Sequence, residues 1–365
     1  MPGYDAYRGT RFFASLDGLR CLSVLAVIWH HCGWQDAPWA VLHMGYRGVD
    51  LFFVISGFLI TTLLLREREE TGGISLRDFY IRRTLRIFPL YYTVIALYVL
   101  TVFLFERHTA PGQAFFGNLP FFLTYTSNWF IQLEGRVIFY FAWSLATEEQ
   151  FYLVWPTLEK LFGALTIPFL VAGILLIRQV VEAAAPESLW RTIILSIHPG
   201  ILGGVLLAHL LHDRRGYAFA EKVLSLKWVG AAALVALVVA LALGQRWLIW
   251  LSMTLLVGAA VAREDNGLGF LRWRALAYMG TISYGMYLLH MLCHNVVKRA
   301  LPGLEVLWLP ATIALTVLVA GLSFRYYESY FLRLKKRFQW SERTAPVRRG
   351  SAAVGLSSPP KTVRA

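Results

Sequence analysis

GLRCLSVLAVIWHH, residues 18–31, sets Arg20, His30 and His31 into a run that otherwise reads as apolar helix. Ionisable groups are costly in hydrocarbon, and within a span they usually face a bundle interior or a water-filled cavity. Arg20 and His31 are eleven residues apart, which at about 100° per residue is three turns and roughly 20°, with a rise of roughly 16 Å. They therefore share one helix face, half a bilayer apart. His30 leaves the helix about 80° round from that stripe, so the spacing singles out His31 as the residue on the Arg20 face. The plainer alternative is that Arg20 snorkels at the cytoplasmic end while the histidines sit in the outer interface.

Composition decides which solvent this helix meets. Of 365 residues, 57% are hydrophobic and 16% charged, against about 25% charged in an ordinary soluble domain; the mean hydropathy is +0.53. At about 20 apolar residues per span, windows near 13–34, 46–66, 84–105, 137–158, 163–183, 190–211, 225–243, 245–262, 275–297 and 306–332 predict an all-α polytopic membrane protein of ten helices, give or take one. Residues 113–131, QAFFGNLPFFLTYTSNWFI, are apolar but broken by Gly117 and Pro120, and read as a re-entrant or interfacial segment. Basic loop residues orient the whole. With the N-terminus in the cytoplasm, Arg66, Arg68, Arg77, Arg82 and Arg83, then Arg214 and Arg215, then Arg263, Arg272 and Arg274, then Arg333, Lys335, Lys336 and Arg337 fall inside. Both termini are thus expected in the cytoplasm, in a multi-pass protein of the cell membrane.

The net charge of +13 needs no nucleic acid: topology and attraction to anionic headgroups of the bilayer account for most of it. The sharper reading is that some arginines hold a polyanionic ligand arriving from the cytoplasm. Cys21, Cys32 and Cys293 fall in predicted spans without metal-type spacing, so they are expected to pack as small apolar residues, with no metal. Asp17 and Arg20 interrupt the first apolar run and no small-residue cleavage site closes it, so the first span is expected to be retained. From Ser341 the chain is rich in Ser, Pro, Gly and Arg and reads as disordered. The layout expected is a cytoplasmic segment over 1–11, a membrane domain over 12–335 and a basic tail over 336–365.

Three further stretches carry chemistry. GVDLFFVISGFLIT, residues 48–61, offers Gly48, Ser56 and Gly57 for close helix packing and brings Asp50 near the outer end of the second span. In FYIRRTLRIFPLYY, residues 79–92, Arg83 and Arg86 are three apart and Arg82 and Arg86 four apart, a fork of guanidinium groups entering the third span. Positive-inside topology explains Arg82 or Arg83 but accounts poorly for Arg86, a turn deeper. A planar guanidinium donates two parallel hydrogen bonds to phosphate oxygens and stays charged when partly desolvated, so the fork suits a phosphate-bearing ligand. WSLATEEQFYLVWP, residues 143–156, holds Glu148 and Glu149 side by side; neighbours on a helix point about 100° apart, so at most one is expected to face an interior site.

Together these stretches resemble the signature run of the acyltransferase-3 superfamily of integral membrane acyltransferases, with ISYGMYLLH (282–290) and RYYESYFLR (325–333) similar to its closing segments. The resemblance covers about residues 12–335. It implies an enzyme that takes an acyl group, commonly acetyl from acetyl-coenzyme A on the cytoplasmic side, and delivers it to a hydroxyl of a sugar or other acceptor, such as a glycan or macrolide. By that likeness His31 is the catalytic histidine, Arg20 its motif partner, Arg83 and Arg86 the paired arginines, and Glu148 the glutamate of the WSL segment. It further implies a stand-alone transferase without the hydrolase-like domain that some members append.

The residue chemistry is compatible with those roles. An acceptor hydroxyl must lose its proton as it attacks a thioester, and a histidine titrating near 6.5 is suited to accept it. Coenzyme A carries its phosphates at one end of a long thin arm, matching a basic fork with a histidine roughly 16 Å deeper along one face. The rival from another class is a transporter or flippase with an intramembrane Arg/His/Glu pathway. Against it stand the absence of evident repeats and the concentration of ionisable groups in the first four spans.

Overall fold

The computed structural model describes residues 3–10, 12–33, 40–132, 134–163, 166–262 and 267–338, and among them there is helix and turn but no strand. In chain order the helices are α1 (Tyr4–Gly9), α2 (Ala14–Cys32), α3 (Ala40–His43), α4 (Gly48–Thr71), α5 (Leu76–Phe105), α6 (Ala110–Leu123), α7 (Ser127–Phe130), α8 (Ala142–Leu161) and α9 (Thr166–Ala184). They continue as α10 (Leu189–Ser196), α11 (Pro199–His212), α12 (Arg214–Leu224), α13 (Val229–Leu243), α14 (Arg246–Ala262), α15 (Arg274–Thr281), α16 (Ser283–Ala300), α17 (Glu305–Ser323) and α18 (Ser329–Lys336). Polar residues start many of them: Ser75 accepts from the Asp78 N–H, Thr109 from that of Gly112, and Asp213 from that of Gly216. The disordered tail expected from Ser341, and Arg263, lie outside the described residues.

Among the described residues each of the ten windows falls largely on helix, yet fewer helices are long and apolar enough to cross a bilayer on their own. Among the described residues five are long and apolar enough: Met44–Thr71, Leu76–Phe105, Thr166–Ala184, Leu189–His212 and Glu305–Lys336. The pair Arg214–Leu224 and Val229–Leu243, bent by 79°, makes a sixth if it is one span. The 275–297 window divides into α15 and α16 at Ile282, and α14 has only 17 residues. The helices α2, α8 and α16 fall short because they carry Asp17 and Arg20, Glu148 and Glu149, and His290 and His294. Burial inside the bundle removes the need for a wholly apolar surface. The 113–131 stretch forms most of α6, with Gly117 and Pro120 inside that helix, followed by the short α7.

Small residues set the crossing that orients α4. A Cβ added to Gly57 would collide with the Ile201 carbonyl oxygen, and one added to Gly204 with that of Val54, so α4 and α11 touch backbone to backbone. This leaves the opposite face of α4, with Phe52 and Ser56, turned toward α8 and α16.

Candidate active site

A cavity of about 100 Å³ lies among α2, α4, α5, α8 and α16. Its basic wall is Arg20, Arg83 and Arg86, its acidic wall Glu148 and Glu149, and Tyr152, Tyr284 and Tyr287 complete it. Arg20 Nη1 donates to Asp17 Oδ1 at 3.1 Å, one turn back on α2. The Arg83 guanidinium lies over the Tyr152 ring, 5.2 Å from its centroid, and 5.7 Å from that of Phe79. Among the described residues no carboxylate is within ion-pair distance of Arg83 or Arg86.

Two expectations are corrected here. Arg82 does not join the fork. Pointing about 100° away from Arg83, it donates to Glu67 Oε2 at 2.7 Å and to the Phe338 carbonyl at 2.8 Å. It is buried in a structural ion pair outside the cavity. Secondly, both Glu148 and Glu149 line the cavity, because it wraps around α8 and takes in two adjacent stripes: Ser144, Glu148 and Tyr152 on one, Leu145 and Glu149 on the other. Glu148 Oε1 accepts from the hydroxyls of Ser56 and Tyr152, so Ser56 contributes a hydrogen bond where its sequence context suggested only close packing. Asp50 belongs to neither wall. Its carboxylate is held by Arg47 Nη1 at 2.9 Å, Trp250 Nε1 at 3.1 Å and His198 Nε2 at 3.3 Å.

His31 and Arg20 occupy different levels of the α2 face. Arg20 lines the cavity, whereas His31 meets α16 beyond Tyr287: His31 Nδ1 and His290 Nε2 are 2.7 Å apart, with the two rings stacked at 16°. His290 Nδ1 is 2.6 Å from the Tyr287 carbonyl oxygen. A carbonyl only accepts, so in the neutral pair His290 Nδ1 carries the proton, His290 Nε2 accepts, and His31 Nδ1 donates. The lone pair of His31 then lies on Nε2. His30 turns elsewhere and packs on Tyr46 at 5.3 Å.

His290 is the site residue that sequence reasoning missed. Its signal was the spacing Tyr284, Tyr287, His290, three residues apart each time, which lays two cavity-lining rings and an imidazole along one face of α16. Among the described residues no group of His, Cys, Asp or Glu is arranged to hold a metal ion.

A family model described as Acyltransferase domain, the acyltransferase-3 model, matches residues 13–325. The chain belongs to that family. YrhL of Bacillus subtilis, provisionally named a peptidoglycan O-acetyltransferase, is 30% identical over 89% of this acyltransferase-3 chain and 56% of its own length. The peptidoglycan O-acetyltransferase OatA of Listeria monocytogenes is 27% identical over 95% of this chain and 61% of its own. The chain thus spans a little over half of the length of these relatives. No solved structure matches it.

Proposed function

We propose that the protein is a membrane O-acyltransferase that moves an acetyl group from acetyl-coenzyme A to a hydroxyl of a glycan. The observation that carries this reading is the His31–His290 pair at 2.7 Å, anchored by the Tyr287 carbonyl, on the helix face that also brings Arg20 to a basic cavity wall. The relatives' names make a cell-wall glycan the first acceptor to try. In this reading both termini are cytoplasmic, residues 12–335 are the catalytic domain, and the arginine wall opens toward the cytoplasmic side of the cell membrane.

The chemistry follows from the tautomer. As the acceptor hydroxyl attacks the thioester carbonyl, His31 Nε2 takes its proton. The tetrahedral intermediate collapses, the C–S bond breaks, and the coenzyme A thiolate takes a proton back from the imidazolium. Products are the O-acetyl ester and free thiol, and the histidine returns to its starting state. Arg83 and Arg86 hold donor phosphates. Glu148, fixed by Ser56 and Tyr152 on the opposite wall, keeps the acidic side of the cavity in one geometry and so positions the thioester arm between the walls.

Purified protein incubated with acetyl-coenzyme A and glycan acceptors tests the reading by mass spectrometry: the acceptor is expected to gain one acetyl group, and an unchanged acceptor panel with intact donor counts against it. For the donor site, Arg83→Lys and Arg86→Lys keep the charge but lose the planar fork. Donor affinity is expected to fall by about 1 to 3 kcal/mol per lost charge-assisted contact. Unchanged coenzyme A binding in both variants would remove the assignment.

A further inference from the structure

The positive-inside pattern treats Arg333, Lys335, Lys336 and Arg337 alike, but the structure separates them. Arg333, Lys336 and Arg337 are exposed, while Lys335 lies on the packed face of α18 with Phe331, Leu332 and Leu334. That face is held against α5 at two points. At one end the Tyr327 hydroxyl bonds Thr93 Oγ1 at 2.9 Å and the Pro89 carbonyl at 3.3 Å. At the other, Arg82 Nη1 donates to the Phe338 carbonyl at 2.8 Å.

These ties make the two segments antiparallel and fix their register: residue 327 stands at 89–93 and residue 338 at 82, which puts Lys335 level with residues 84–85, between Arg83 and Arg86. A π-helical turn at Phe324–Glu328 lies at the first tie; such turns reset the facing of the helix that follows. The ammonium lies within electrostatic range of Arg86, Arg83, Arg82 and Arg20, and among the described residues no carboxylate is within ion-pair distance of it. Arg82 is already neutralised by Glu67 and Arg20 is partly balanced by Asp17. Arg83 and Arg86 of α5 and Lys335 of α18 are therefore three like charges with no ion-paired partner among the described residues; Glu148 and Glu149 on the facing wall and Glu328 lie within electrostatic range of the arginines but outside ion-pair distance. Like charges so placed repel one another, and an anion with more than one charge seated among them relieves that repulsion.

We propose that Lys335 of α18 completes, with Arg83 and Arg86, a binding site for a pyrophosphate or phosphomonoester group, so that the final turns of the last long span form a wall of the donor site. The inference rests on the acetyl-coenzyme A reading and deepens it. The two guanidinium groups supply planar, bidentate donors, and the ammonium supplies a point charge for a phosphate oxygen that the fork does not reach. An anionic lipid headgroup offers the same chemistry, and the experiment separates the two sources.

Full-length protein in nanodiscs of phosphatidylcholine alone is titrated with coenzyme A. Lys335→Ala is expected to weaken coenzyme A binding about tenfold, with kcat at saturating acetyl-coenzyme A unchanged. Lys335→Arg should restore affinity to within about threefold of the parent, and Lys336→Ala, which alters an exposed neighbour of equal charge, should match the parent. Equal binding by Lys335→Ala and the parent overturns the role of Lys335 and leaves the donor reading standing. An equal loss in Lys335→Ala and Lys336→Ala, or a loss that appears only when phosphatidylglycerol is added to the nanodiscs, overturns it in favour of general or headgroup electrostatics. Failure of the parent protein itself to bind coenzyme A removes the donor reading and this inference together.

Discussion

His31→Ala is expected to lower turnover by about 100-fold or more, the usual worth of a positioned general base, while coenzyme A binding stays close to that of the parent. The arginine wall that would hold the donor is built by α2 and α5 at the level of Arg20, and His31 is not on the wall of that cavity. The substitution removes one imidazole and leaves His290 Nε2 without its partner at 2.7 Å. That loss costs about 1 to 3 kcal/mol of local stability, too little to unfold a helix packed as α2 is. His30→Ala is the matched control: its ring sits on Tyr46 instead of His290, and the expected loss of activity is small. Acyl transfer by both variants at equal membrane abundance decides the matter. An active His31→Ala enzyme, or a dead His30→Ala enzyme beside a working His31→Ala one, would assign the chemistry to another residue.

The face of α2 could be read from sequence because helical geometry is local: Arg20 and His31 share a stripe whatever surrounds them. The same holds for Arg83 and Arg86, and for the glycine of the second span, where Gly57 meets the Ile201 carbonyl. What escaped the sequence depends on partners far along the chain. Arg82 looked equivalent to Arg83 until Glu67 and the Phe338 carbonyl claimed it. Glu149 joins Glu148 on the cavity wall because the cavity, closed by residues of four other helices, reaches two adjacent stripes of α8, which a single helical wheel cannot register. Of the ten windows, five or six coincide with helices long and apolar enough to cross a membrane by themselves; α2, α8 and α16 carry buried polar residues on an otherwise apolar helix, which a hydropathy window averages away. His290 lies 259 residues from His31, and only the packing of α16 on α2 pairs them.

That pairing yields the second large effect. If His290 acts by fixing the tautomer of His31, removing its acceptor nitrogen should harm the chemical step and spare donor binding. His290→Leu fills the space but cannot accept from His31 Nδ1, so the His31 ring is free to place its proton on either nitrogen and to rotate. A fall in kcat of roughly 10- to 100-fold is expected, comparable to losing the hydrogen-bond partner that orients other functional histidines, with KM for acetyl-coenzyme A nearly constant. His290→Gln is the discriminating variant. Its side-chain amide oxygen reaches toward the position of Nε2 and can accept the same hydrogen bond, although the amide gives up the bond that His290 Nδ1 makes at 2.6 Å to the Tyr287 carbonyl. Activity in His290→Gln should therefore lie well above that of His290→Leu. A purely packing role predicts the reverse order, because leucine suits a fully buried position packed on the Phe141 and Tyr287 rings better than an amide does. Steady-state kinetics of the two variants at matched expression distinguishes these outcomes. A glutamine enzyme no better than the leucine one, or a loss confined to KM, would show that His290 does not orient the base.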